Sequence, residues 1–131
     1  MKILSWKDFN SCINSMTSAC KEKKFSGVYG FPRGGVCLAV ALSHSLNIPY
    51  LDELKPGCLV VDDVYETGKT FNKILDIPNT TSFVWYTKVI PKWWNAIEIS
   101  SPDEWLVFPW ENYAHAEEDM KTYQVSRERS K

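Results

Sequence analysis

The run VYETGKTF, residues 64–71, closes with the Gly-Lys-Thr of a nucleotide-binding phosphate loop. Such a loop needs a further glycine, with four residues between it and the Gly-Lys pair, so that backbone can wrap a phosphate chain. Asp63 stands in that place, and Asp62 precedes it. Two carboxylates would repel the phosphates, so the NTPase reading is excluded. What remains is a segment that sorts its chemistry by position. Asp62 and Asp63 suit a sugar diol or a hydrated divalent cation, whereas hydroxyls and backbone N–H groups at a helix start suit a phosphate. A ribose carrying a terminal phosphate would span both halves. The plainer alternative is a capped helix start with two solvated turn acids. A second segment, Gly30-Phe31-Pro32-Arg33-Gly34-Gly35, adds glycines that admit close backbone approach, an arginine fork and another helix start.

Both segments need a strand before them and a helix after. Gly27 to Phe31 reads as a buried strand broken at Pro32, and the apolar text from Gly34 reads as a helix buried on most sides and capped near Asn47. His44 on that helix reads as structural. Leu59-Val60-Val61 is continuous and β-branched, as in a parallel strand covered on both faces. It should end at Asp62, with a helix from about Gly68 to Asp76 stopped by Pro78. Ile48 to Leu51, Ser82 to Thr87, Ile97 to Ile99 and Trp105 to Phe108 are further strand candidates. At the N-terminus, Ser5 and Asp8 form a capping pair, and Trp6, Phe9, Ile13, Met16 and Cys20 recur as one helical face. The basic run Lys21 to Lys24 suits that helix's C-terminal end. A charged tail, helical over Tyr113 to Gln124 and frayed after it, completes the chain. Strand and helix alternate, which predicts an α/β fold with a mostly parallel central sheet and three layers, α/β/α. Ligands on such sheets sit beyond the carboxyl ends of the strands, where both segments fall.

With 131 residues, 44% of them hydrophobic, the chain is expected to form one domain, 1–131, with an N-terminal helix within 1–24 and the charged tail over 112–131. A net charge of -1 gives no global attraction for nucleic acid or anionic lipid. No apolar run is long enough for a bilayer, and the first residues lack the apolar core of a signal peptide. Cys12, Cys20, Cys37 and Cys58 form no CxxC pair, so free thiols in a reducing cytoplasm are expected.

An apolar strand, two acids and a short loop to Thr-Gly-x-Thr, here LVVDDVYETGKT over 59–70, closely resemble the signature of the type I phosphoribosyltransferases. The upstream Arg-Gly-Gly resembles that family's diphosphate loop. Lys88 after a strand, with DEWLVFPWE over 103–111, resembles the base-binding end of the bacterial xanthine-guanine (6-oxopurine) branch. The likeness covers roughly residues 25–111. It implies transfer of ribose 5-phosphate from phosphoribosyl diphosphate (PRPP) to a purine, with Mg²⁺, in purine salvage. Small-molecule substrates and a homodimer or homotetramer would follow.

Carried over by position, the resemblance gives Asp62 and Asp63 the ribose hydroxyls, directly or through the metal. Glu66, Thr67, Gly68, Lys69 and Thr70 would wrap the 5′-phosphate, and Arg33 and Gly34 would grip diphosphate, with a cis peptide falling between Pro32 and Arg33. Glu66 takes the place of an aspartate that accepts the base's proton, or is a solvent-facing acid. Lys88 would read the purine 6-oxo group, Trp105 would stack on the ring, and Leu106 would offer backbone to its edge. Glu111 matches a metal-binding acid. Trp93 and Trp94 read as packing residues, with an interface or lid as the other option. One feature departs from the family. The interval that carries its flexible hood is only residues 52–58 here, a tight turn. Two readings therefore stand: a 6-oxopurine phosphoribosyltransferase, or a noncatalytic module that binds PRPP or a nucleotide.

Overall fold

Ser5 and Asp8 start the first helix as their spacing requires. The Ser5 N–H donates to Asp8 Oδ2 at 2.8 Å and the Asp8 N–H to Ser5 Oγ at 3.1 Å, a reciprocal capping box. Those hydrogen bonds hold the Asp8 carboxyl below its ordinary value. Helix α1 follows over Trp6–Cys20, burying Phe9, Ile13, Met16 and Cys20 as the periodicity predicts. The computed structural model describes residues 1–130, with side chains through 126. Two compact units divide them: Asn10–Pro102, and Met1–Phe9 with residues 103–130.

In the larger unit four parallel strands lie in the order β2 (Val28–Gly30), β3 (Leu59–Tyr65), β4 (Thr81–Thr87) and β5 (Asn95–Ile99). Val28, Leu59 and Thr81 stand level at the amino edge, and Tyr65 pairs with Thr87 at the carboxyl edge. Side chains alternate across β3. Val60 faces a core of Phe31, Phe71, Ile74, Val84 and Trp94. Leu59 and Val61 point the other way, and α2 (Gly34–Leu46) packs against β2 and β3. Burial of each large apolar side chain contributes about 1.5–3 kcal/mol, and Val60, Val61, Val84 and Leu38 are all fully buried.

Four expectations change. Helix α2 ends at a left-handed Asn47 as expected, but it buries one face, through Gly35, Leu38, Ala39 and Leu42. Val40 and His44 are exposed, because only one stripe of a helix can meet a sheet. The strand at 48–51 shrinks to a single bridge, Tyr50 with Val28, because Pro49 has no N–H for a ladder. β3 does not stop at Asp62 but stays paired with β4 through Tyr65. The helix expected from Gly68 is a 3-10 helix, Phe71–Asp76, reached through a turn at Gly68.

The smaller unit pairs β1 (Lys2–Ile3), which the residue pattern does not announce, in parallel with β6 (Leu106–Val107). Phe9, Phe108 and Trp110 cluster there, with Phe108 and Trp110 stacked at 5.2 Å. Helix α3, Tyr113–Ser130, begins where the charged tail predicts and continues past Gln124; Lys131 lies outside the described residues. All four cysteines are free, with Cys12, Cys20 and Cys58 buried, and burial with the Glu98 charge pushes the Cys12 thiol up to about 12. No helix among the described residues is long and apolar enough to cross a membrane.

Candidate functional site

Alternation along β3 sends its two acids to different neighbours. Asp62 follows Val60 and lines a cavity of about 200 Å³ with Val64 and residues 65–71. Asp63 turns toward the start of α2, where a Cβ at Gly34 would fall on its carboxylate. A Cβ at Gly35 would come 2.7 Å from the Val61 carbonyl oxygen and 3.2 Å from Asp62 Oδ1. Only glycine backbone fits there. The fold thus brings the two segments singled out in the sequence into contact at one sheet edge. Arg33 is exposed beside this junction, and the Pro32–Arg33 peptide is cis, at the bond to which the family likeness pointed.

The acids are also electrostatically joined. Asp62 Oδ1 accepts the Asp63 N–H at 2.9 Å, and Asp63 Oδ1 accepts the Val64 N–H at 2.8 Å. Burial first, and the adjacent Asp63 charge second, push the Asp62 carboxyl up to about 8. Burial raises Asp63 too, against hydrogen bonds from Asp62 and Val64 that favour its charge. Both shifts run the same way, so burial and the neighbouring carboxylate disfavour full charging of the pair.

Beyond them the loop is open. Glu66, Thr67, Lys69 and Thr70 are exposed, and Gly68 takes the left-handed φ of 80° that its turn requires. The Lys69 N–H reaches Thr67 Oγ1 at 3.4 Å. The N–H groups of Glu66, Thr67, Gly68 and Thr70 have no acceptor among the described residues. Because the loop leads into a six-residue 3-10 helix, the expected helix macrodipole is missing. Its attraction for an anion rests on free amides, two threonine hydroxyls and Lys69.

Aromatic rings support this loop from beneath. Tyr65 stacks on Trp94 at 3.7 Å and 15°, and Trp93 stacks on Phe71 at 5.7 Å. Trp94 is buried and its Nε1–H donates to Thr87 Oγ1 at 3.3 Å. Trp94 is therefore packing, as preferred from the sequence, whereas Trp93 stacks on Phe71 while staying exposed. The importance of Tyr65 was not legible in the sequence; it follows the two acids in the strand pattern, and only its contacts single it out.

Lys88 extends the carboxyl edge of β4, half-buried, its N–H donating to the Tyr65 carbonyl at 2.8 Å and its Nζ to the Ser101 carbonyl at 3.4 Å. In the smaller unit Trp105 packs on Tyr123 at 5.3 Å, and its buried Nε1–H has no acceptor among the described residues. Leu106 is buried in β6. Glu111 Oε1 accepts the Phe108 N–H at 3.0 Å, closing a turn. Among the described residues no three His, Cys, Asp or Glu side chains cluster as metal ligands.

No protein-family model matches the chain. A solved purine phosphoribosyltransferase from Pyrococcus horikoshii OT3 matches with 26% identity and a TM-score of 0.69, over 85% of this chain and 93% of its own. This chain has the type I phosphoribosyltransferase fold. Two more distant structures share the fold alone. One is a xanthine-guanine-hypoxanthine phosphoribosyltransferase from Helicobacter pylori (18% identity, TM-score 0.62, 90% and 98% covered). The other is a hypothetical protein from Neisseria gonorrhoeae solved with bound ppGpp (16%, 0.65, 92% and 97%). Within this phosphoribosyltransferase fold the turn at 52–57 lies at the amino edge, tied by the Gly57 N–H to the Pro78 carbonyl at 2.9 Å. It is at the opposite end of the strands from the cavity.

Proposed function

We propose that the protein transfers ribose 5-phosphate from PRPP to a purine of the guanine, xanthine or hypoxanthine type. The likeness to a purine phosphoribosyltransferase at 26% identity supports phosphoribosyl transfer in general. The observation that carries the reading is the joined edge: Asp62 on a cavity walled by open amides, with Gly34 backbone against Asp63. Free N–H groups, Thr67, Lys69 and Thr70 hold the 5′-phosphate, and the acids hold the ribose hydroxyls. Arg33 and the Gly34 backbone hold diphosphate.

In the reaction the bond from C1′ to the diphosphate oxygen breaks and a bond from C1′ to a ring nitrogen forms. The electron pair leaves with diphosphate, and the proton on that nitrogen passes to Glu66, an exposed carboxylate on the cavity rim. Lys88 offers a donor to a 6-oxo group from the same sheet edge. Each acid gives one oxygen to a neighbouring N–H, the two carboxyls also bond each other, and both resist charging alone. Such a pair fits Mg²⁺, which takes one or two carboxylates and completes its shell with substrate oxygens. When bound, Mg²⁺ would neutralise charge on the departing diphosphate.

Incubation of the full chain with PRPP, Mg²⁺ and a panel of purines and pyrimidines, read by mass spectrometry, tests this. A nucleoside monophosphate from a 6-oxopurine is the expected product. No product from any base at high protein concentration defeats it. A second reading, a noncatalytic module binding PRPP or a nucleotide, is favoured by the amino-edge position of the turn, which leaves the family's cover absent from the cavity. Calorimetry showing tight PRPP or nucleotide binding without turnover selects it.

A further inference from the structure

Tyr65 sits where β3 gives way to the open loop and lines the cavity from below. Its ring is fixed. Trp94 stacks on one side at 3.7 Å, and Phe71 and Trp93 meet it edge-on at 6.1 and 6.4 Å. Trp94 is in turn held by Thr87, and the Tyr65 carbonyl accepts the Lys88 N–H. The ring end lies under Gly68, in the space a side chain there would fill: a Cβ at Gly68 would collide with the Tyr65 hydroxyl and come 2.9 Å from Cζ. Among the described residues that hydroxyl has no hydrogen-bond partner, and the N–H groups of Thr67 and Gly68, in the turn it lies against, have no acceptor.

A hydroxyl held by a rigid ring, beside unsatisfied N–H groups, is a donor prepared for an anion. We propose that Tyr65 is a binding residue of the phosphate cradle, its O–H donating to a phosphate ester from beneath the Gly68 turn. The inference rests on the sugar-phosphate reading of residues 65–71. It adds to that reading a side-chain donor whose position the Trp94 stack sets.

The test is calorimetry with ribose 5-phosphate, without metal, on the full chain and on Tyr65→Phe. The wild type binds, and Tyr65→Phe, which keeps the ring and its stack, binds about 10-fold more weakly, the scale of one hydrogen bond to a charged group. Its melting temperature stays at the wild-type value. A purely structural role would lower the melting temperature and leave affinity unmoved. Equal affinity in the two proteins overturns the proposal while the sugar-phosphate reading survives. No binding by the wild type overturns both. If Tyr65→Phe does not fold, the wild type labelled at tyrosine ¹³Cζ carries the test. Ribose 5-phosphate must shift the Tyr65 resonance and spare that of Tyr86, buried on β4; an unmoved Tyr65 signal overturns the assignment.

Discussion

The two ends of one parallel sheet differ in how completely they satisfy themselves. At the amino edge every connection is tied down. The Ser26 N–H donates to the Gly57 carbonyl, Ser26 Oγ to the Pro56 carbonyl, the Gly57 N–H to Pro78 and the Cys58 N–H to Lys55. At the carboxyl edge two adjacent carboxyls are both pushed up, four amides lack acceptors among the described residues, and glycine backbone lies against both acids. Buried or crowded polar groups left unpaired cost stability, so they persist where a ligand completes them. One edge holds the fold, and under the proposed function the other is completed by substrate.

Substitutions can break this contrast. Asp63→Asn keeps volume and removes the charge that faces Gly34, so nucleotide formation from PRPP should fall on the order of 10²–10³-fold, as when a preorganised charge partner is removed. Activity near wild type would mean that the acids only shape a turn. Gly34→Ala drives a methyl into the same carboxylate and parts the two loops. We expect PRPP affinity, measured by calorimetry, to drop about 10-fold or more, a misplacement effect. An unchanged affinity would separate the diphosphate loop from the site.

The acid pair also predicts how stability depends on pH. Asp62 titrates near 3.8 when unfolded and at about 8 in the fold, so the folded state binds more protons between those values. Stability is fully present below the lower value and is lost as pH rises through about 8. Asp62→Asn should flatten this trend and melt about 4 °C above wild type at pH 9, a gain of roughly 1 kcal/mol for a domain of this size. Mg²⁺ with PRPP should raise the wild-type melting temperature more than that of the variant. A wild-type profile that rises with pH would contradict the raised Asp62 value.

The smallest effect tests the other edge. Gly57 has φ of 75°, and a Cβ there would meet only Ser26 Oγ at 3.9 Å. Gly57→Ala should therefore cost about 1 kcal/mol through backbone conformation alone, read by urea denaturation. Activity per folded molecule should not change. A loss of turnover without loss of stability would show that the 52–57 turn serves the site after all.

Much of this was legible from residue types because the signals are local. The capping box at Ser5, the β-branched run before Asp62, the left-handed Asn47 and the Arg-Gly-Gly segment each follow from short-range sterics and hydrogen bonding. The 3-10 helix after Thr70 was not legible, since it depends on how far β4 continues to pair with β3. The single bridge at Tyr50 and the one-sided burial of α2 likewise depend on neighbours distant in the chain.

By itself the amino-acid order determined an alternating α/β chain, two acids ahead of a glycine turn, and the edge of the sheet on which they fall. Those are properties of consecutive residues, set by periodicity, propensity and backbone freedom. Only the tertiary structure decided that Gly34 abuts Asp63, that Tyr65 fills the space under Gly68 on a Trp94 stack, and that the shortened turn lies at the far end of the strands. Each is a contact between residues far apart along the chain, and such contacts exist only once the sheet has fixed its register.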